Sequence, residues 1–424
     1  MTLHRLRASN RHLTRDRRWL TTAWVVLLFI SSFRFSGFRD PALAASGVAS
    51  VENAIEVLAY SVIAALVIKR WYGNRIPMDS SGIRLLMGLG ALAMTSALWS
   101  RVPLFSLVRG SQVVVLAMLT AYTSHVWNTR SESEWPEWSS IWAAILWITC
   151  IVSGAGLLLS SWIDSRFTWP GTHPGATAGY LGVAALVALV MLMQKWEVSS
   201  VLRRVLPILV IALVILIVLT GTRTMIAAFI TALPVVILTS SFASRGIRAL
   251  LGGFFAYVLA AVMLLWPERL VEFVLRGGSV EQLSSLTGRT ELWQYALEAL
   301  ERSPWFGFGY GSGRVVLTER IPWSGTGHNL WIEAGVSLGI VGAVLVTLII
   351  SWLFVQTFKN RHSVSHPGKT LVPTLAVFLT VGSVAGPTIA LPGFLLTVAG
   401  LLIACESTRP TEPTLAVDLE CPAL

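Results

Sequence analysis

Three side chains stand out by what their positions cost. Arg223, in Gly221-Thr222-Arg223-Thr224, lies between two apolar blocks with almost no loop. A guanidinium there is expensive unless it meets an anion or a polar cavity, or snorkels to an interface. Arg289 opens a segment with helical periodicity. A cation is disfavoured at the positive end of a helix, which an external anion would explain, as would plain solvation of a surface arginine. His328 immediately precedes a long apolar run. Its charge changes near neutral pH, so it can serve as a general base or acid, or simply as a hydrogen-bonding residue.

Other candidates are weaker. Asp40 and Glu52 are carboxylates near the first external connection, where a base or ordinary loop polarity would read alike. The run Gly307-Phe308-Gly309-Tyr310-Gly311-Ser312-Gly313 resembles a phosphate-cradling loop only superficially. It has no preceding strand and no following Lys-Ser or Lys-Thr, so it reads as a tight turn letting backbone approach backbone or ligand. No DxD or HExxH occurs in the external segments, so neither a catalytic metal nor a cofactor is expected. Of the three cysteines, Cys150 and Cys405 lie in apolar blocks and Cys421 in the tail, which suggests neither a disulfide framework nor a zinc site.

The elements that must position these groups are membrane helices. The 424 residues are 54% hydrophobic and 13% charged, roughly half the charge of a soluble chain. Apolar blocks long enough to span a bilayer fall near 19–35, 50–68, 82–98, 104–126, 140–161, 175–193, 206–221, 224–242, 249–266, 329–356, 371–386 and 390–405. The expectation is an all-α, polytopic bundle of about a dozen crossings forming a single integral membrane domain over 1–424. Gly386-Pro387 and Leu391-Pro392-Gly393 should break 371–405 into two short helices. The arginine-rich segment before Leu20–Phe33 allows a signal peptide cleaved after Ala42-Leu43-Ala44. However, Arg34, Arg39 and Asp40 intervene, so an uncleaved first helix is expected.

The net charge of +10 could suggest nucleic acid. Its placement at helix ends and in short loops reads as topology instead, and no nucleic-acid partner is expected. Lys69, Arg70, Arg75, Lys195, Arg203, Arg204, Arg245, Arg248, Lys359, Arg361 and Lys369 mark one side as cytoplasmic, with both termini there. The long loop 267–328 is then external. Within it, Arg289 to Arg302 reads as an amphipathic helix: Leu292, Trp293, Ala296, Leu297 and Leu300 on one face, Glu291, Gln294, Glu298, Glu301 and Arg302 on the other. It opens at Thr287-Gly288, stops at Ser303-Pro304, and is expected to lie on the outer membrane face.

From about residue 95 onward the chain resembles the O-antigen ligase and O-antigen or exopolysaccharide polymerase superfamily. The resemblance rests on an ordered series: Ser96-Ala97-Leu98-Trp99-Ser100-Arg101-Val102-Pro103, then Arg109, then Gly171-Thr172-His173-Pro174-Gly175, where the family usually has Asn at 175. The GTRT arginine follows, then Thr287 to Trp293, Ser303 to Gly313, and His328-Asn329 with Gly339-Ile340-Val341-Gly342. Members transfer glycans from a polyprenyl-diphosphate carrier on the outer leaflet. The resemblance implies a bacterial inner-membrane glycosyltransferase, inverting and metal-independent, that takes an undecaprenyl-diphosphate-linked donor. Arg223 and Arg289 would hold the diphosphate, because guanidinium groups suit phosphate oxygens. His328 would take the proton from the acceptor hydroxyl. Arg109, His173, Asn329 and Glu333 would support them. Ala343-Val344 and the wording of the long loop look closer to polymerases than to ligases, so the acceptor is a growing glycan or, alternatively, lipid A-core. A flippase and a chain-length regulator are the protein partners implied, and membrane lipids surround the whole. The rival reading is a transporter, such as a lipid-linked oligosaccharide flippase, which also needs intramembrane arginines but not a long ordered loop with motif residues on one face. A structural scaffold would need neither.

Overall fold

A computed structural model describes residues 18–32, 51–74, 76–128, 136–196, 198–240, 289–322, 326–360, 368–384 and 393–408, with a few isolated positions between them. The helices are α1 (Arg18–Ser32), α2 (Val51–Asn74), α3 (Ser81–Thr95), α4 (Pro103–Asn128), α5 (Pro136–Leu158), α6 (Pro174–Gln194), α7 (Ser200–Leu219), α8 (Arg223–Thr239), α9 (Arg289–Arg302), α10 (Gly313–Thr318), α11 (Leu330–Asn360), α12 (Gly368–Val384) and α13 (Phe394–Ser407). Seven of them, α2 to α7 and α11, are long and apolar enough to cross a membrane; α1, α8, α12 and α13 are shorter apolar helices. These coincide with the apolar blocks read from the sequence, except 249–266, which lies outside the described residues along with Asp40. The fold is an all-α polytopic membrane bundle. Among the described residues the one addition is a short hairpin, β1 (Trp162–Ile163) and β2 (Arg166–Phe167), paired Trp162 to Phe167 and Ile163 to Arg166.

Burial sorts the helices into inner and outer. Every residue of α13 is buried, as is most of α12. In α6, 72% of the apolar window is covered by protein, against 17% in α2 and 22% in α7. Helices apolar all round need cover on every side, from protein in the first case and from lipid in the second. The bundle is built from the tight pairs α3–α4, α8–α12 and α6–α7, with α11 packed on α3 and α12. Helix α12 ends at Val384 and α13 starts at Phe394, with Gly386-Pro387 and Leu391-Pro392-Gly393 between them.

Helix α9, within the long loop, packs against α10 and α11. Leu292, Tyr295, Ala296 and Ala299 of α9 form a small satellite core with Val316, Leu317, Ile321 and Val336. The buried stripe therefore includes Tyr295 and Ala299, while Leu297, assigned to the apolar face by spacing, is 55% exposed. The partner surface of α10 and α11 selects the stripe and leaves Leu297 outside it.

The glycine run makes a joint. Gly339 sits in α11 at φ +67°, interrupting the helix. This frees the carbonyls of Val336 and Ser337 to accept from the backbone N–H groups of Phe308 (3.0 Å) and Gly309 (2.9 Å), and the Ile340 N–H to donate to the Pro304 carbonyl (2.7 Å). A Cβ on Gly307 would lie 2.6 Å from the Gly339 nitrogen, so the two backbones cross where neither residue can carry a side chain. The turn after α3 packs on the other side. The Ser96 hydroxyl accepts from the Tyr310 N–H (2.9 Å), the Trp99 indole donates to the Phe306 carbonyl (3.2 Å), and Arg101 pairs with Glu319. The close approach of backbone to backbone expected of the glycine run is what it provides.

Candidate active site

Four connections at one end of the bundle converge: the β1–β2 hairpin with the loop into α6, the α7–α8 turn, the start of α9, and the loop 326–329 before α11. In the first, the Thr168 hydroxyl donates to the Thr172 carbonyl (2.6 Å), the Thr177 hydroxyl accepts from the Trp169 N–H (3.0 Å), and the Trp169 indole donates to the Ser153 hydroxyl (2.9 Å). These buried bonds fix the run that ends at His173, the N-cap of α6, whose Nδ1 accepts from the Gly175 N–H (3.0 Å).

The second connection carries Arg223 as the first residue of α8, after its N-cap Thr222. Arg166, from β2, spans to this turn: Nε donates to the Thr220 carbonyl (2.9 Å) and a terminal nitrogen to the Thr222 hydroxyl (3.4 Å). Arg166 did not emerge from the sequence as a site residue. The signal was present, since it is a lone arginine in a short connection bounded by Trp162 and Trp169, the same kind of placement that drew attention to Arg223.

His328 is held in a bracket. It adopts φ +49°, a left-handed conformation that a non-glycine residue keeps only when its surroundings impose it. On its N-terminal side, Gly327 is pinned twice. Its N–H donates to the Glu333 carboxylate (2.6 Å), and its carbonyl accepts from the Trp293 indole of α9 (3.0 Å). On its C-terminal side, the Asn329 side-chain oxygen caps α11 by accepting from the Trp331 and Ile332 N–H groups (2.9 and 3.1 Å), while its amide donates to the Val384 carbonyl (2.9 Å). Asn329 and Glu333 thus act on the backbone around His328 rather than on its ring. The role of Trp293, read from the sequence as part of an apolar face, was not anticipated.

Electrostatics tie the parts together. Burial, then the Arg289 and His173 charges, push the His328 pKa down to about 4. Burial, then Arg166 and Arg289, lower that of His173. Both imidazoles are therefore neutral at pH 7, when a ring nitrogen of His328 has a lone pair to accept a proton. His328, His173, Arg289 and Arg166 lie within reach of one another's charge, and Arg166 connects them to the turn bearing Arg223. Three of the helices that start here, α6, α8 and α9, have a basic residue at the N-cap or first position. A cationic, partly buried mouth with backbone N–H groups at helix starts suits a phosphate-bearing ligand. Among the described residues, no three His, Cys, Asp or Glu side chains gather.

Arg109 is held by a different set of partners. Its guanidinium pairs with Glu56 of α2, donates to the Gln112 amide oxygen (3.0 Å) and sits 5.4 Å from the centre of the Phe105 ring. It joins α2 to α4 behind the Tyr310 turn. Glu52 stands in the first turn of α2.

Residues 208–347 match the family described as O-antigen ligase. Arg223, Arg289 and His328 fall inside that match; Arg109, Arg166 and His173 fall outside it. The exopolysaccharide production protein ExoQ of Rhizobium meliloti (strain 1021) is 33% identical over 126 residues, 27% of this chain and 28% of that protein. The O-antigen ligase of Pseudomonas aeruginosa PAO1 is 29% identical over 250 residues, 57% of this chain and 56% of that protein. The chain spans just over half the length of the second relative and about a quarter of the first. The resemblance to the O-antigen ligase and polymerase superfamily, drawn from the motifs, holds in all three matches.

Proposed function

We propose that the protein is a bacterial inner-membrane glycosyltransferase that moves a glycan from a polyprenyl-diphosphate carrier, undecaprenyl diphosphate, to a hydroxyl acceptor in envelope polysaccharide synthesis. The observation that carries this reading is the convergence of a neutral, buried His328 with Arg289, His173 and Arg166, beside the turn that bears Arg223. An acceptor oxygen attacks the anomeric carbon from the side opposite the diphosphate, inverting that centre. The C–O bond to the diphosphate breaks, its charge grows against Arg223 and Arg289, and the acceptor proton passes to His328. Before donor binds, burial and then the Arg289 charge make His328 a poor proton acceptor. Once the diphosphate offsets that charge, the ring becomes more basic, so donor binding prepares the base.

The favoured acceptor is the growing glycan itself, making the protein a polymerase. Ligation to lipid A-core is the second reading, supported by the description of the matched family and by the longer match to an O-antigen ligase. Purified protein in liposomes, supplied with defined lipid-linked repeat units and then with lipid A-core, separates them by product mass. A ladder of repeats indicates polymerase, and a single transfer to core indicates ligase. Movement of the lipid across the bilayer without covalent change would make the protein a transporter and overturn the proposal. A flippase and a chain-length regulator are the partners this activity would need.

A further inference from the structure

Two histidines share the site, and their backbone contacts assign them different work. A backbone N–H can only donate, so the 3.0 Å contact from Gly175 N–H to Nδ1 of His173 requires a lone pair on that nitrogen. In neutral imidazole the proton then resides on Nε2, at the far edge of the ring. Protonating Nδ1 would set two N–H groups against each other and remove the N-cap of α6. The threonine and tryptophan bonds on 168–177 hold the segment, so the ring cannot turn without breaking the cap. Two neighbouring charges point the same way: Arg166 from β2 and Arg289 from α9 both disfavour a second proton on the ring, and His328, from the loop before α11, is itself neutral. A ring fixed as an Nε2–H donor and flanked by two guanidinium groups is suited to an anion and unsuited to be a base.

We propose that His173 is a donor-only ligand of the anionic diphosphate, its Nε2–H directed at the group that Arg223 and Arg289 hold, while His328 alone exchanges the proton. This deepens the reading above and rests on it for the identity of the anion, but the tautomer can be measured without turnover.

The full-length protein is labelled with ¹⁵N-histidine and placed in lipid nanodiscs. The seven histidines are distinguished by single variants, with His173→Ser identifying the signal of interest, because serine is a good N-cap and keeps α6 closed. The expected spectrum for His173 at pH 7 is one neutral form, with hydrogen on Nε2 and none on Nδ1. Inorganic pyrophosphate should move the Nε2 resonance. His173→Ser should weaken pyrophosphate binding by about ten- to a hundredfold, the loss of one charge-assisted hydrogen bond, with the acid limb of the transfer reaction unmoved. Hydrogen on Nδ1, an imidazolium at pH 7, or an Nε2 signal indifferent to saturating pyrophosphate would each overturn the proposal. If the protein transfers no glycan but pyrophosphate still moves Nε2, the donor role of His173 stands and the assignment of the reaction fails.

Discussion

At the scale of residues, the chemistry depends on which groups carry a proton. His328 has a pKa near 4 in the free protein, below the ordinary histidine value of about 6.5. A group depressed in this way loses its proton-accepting form only as the pH falls through its own pKa. The acid limb of kcat/KM, which reports the free enzyme, should therefore lie near pH 4, and the limb of kcat, which reports the donor complex, should lie higher because the diphosphate offsets Arg289. PH–rate profiles of glycan transfer check both; a kcat/KM limb at the ordinary histidine value would mean His328 is not buried among cations. His328→Ala should lower transfer by about 10²–10⁴-fold with donor binding retained, and His328→Gln should do the same, since glutamine keeps a hydrogen bond but takes no proton. Arg223→Lys and Arg289→Lys should each cost most of the activity at normal expression, because an ammonium cannot grip two phosphate oxygens in a plane; full turnover in both would dismiss the clamp. His328, Arg223 and Arg289 were legible in sequence because an ionisable group at a membrane rim is costly and short motifs surround it. Arg166 was not singled out, although its placement between Trp162 and Trp169 carried the same signal as that of Arg223; its reach to the α7–α8 turn shows only in the fold.

At the scale of elements, the site is a set of helix starts held by backbone bonds. The bracket on Gly327 joins α9, through Trp293, to α11, through Glu333. Trp293→Phe keeps an aromatic ring but removes the indole donor. It should lower kcat by about two- to tenfold, the worth of one net hydrogen bond, and leave the donor KM nearly unchanged. Glu333→Gln retains an oxygen for the Gly327 N–H and should stay closer to wild type than Glu333→Ala, which retains none. The crossing of Gly307 and Gly339 predicts a stability effect instead. Gly339→Ala places a methyl group against the Trp305 backbone in a left-handed conformation, and should destabilise the protein by about 1–3 kcal/mol, seen as a lower melting temperature in scanning fluorimetry. Helices were readable here from apolar runs and from Pro and Gly breaks. The hairpin was not, since strands of two residues carry no periodicity. The face of α9 was misjudged for a related reason: spacing marked Leu297 as apolar but could not show that α10 and α11 accept Tyr295 and Ala299.

At the scale of the whole molecule, the remaining question is which side of the membrane the mouth faces, and the two ends of the bundle differ in their charges. The end opposite the site carries Lys69, Arg70, Lys195, Arg203, Arg204, Lys359 and Lys369 on short connections or helix ends. The site end has Arg166, Arg223 and Arg289, each at the proposed site, Arg101, which Glu319 compensates, and Arg302, Arg314 and Arg320 on the long loop, where charge carries little topological weight. Setting those aside, the basic residues on short connections concentrate on one side, the pattern that marks a cytoplasmic face. On that pattern we propose that the mouth opens outward, where a lipid-linked glycan would be presented after crossing the bilayer. In a variant lacking the native cysteines, Glu301→Cys, exposed on α9, should react with an impermeant maleimide in intact spheroplasts. Ser200→Cys, exposed at the far end of α7, should react only after the membrane is opened. The reverse pattern would place the arginines and His328 in the cytoplasm, where the substrates are nucleotide-activated sugars or nascent lipid-linked units, and the outer-leaflet reaction would have to be abandoned even if every residue-level prediction held.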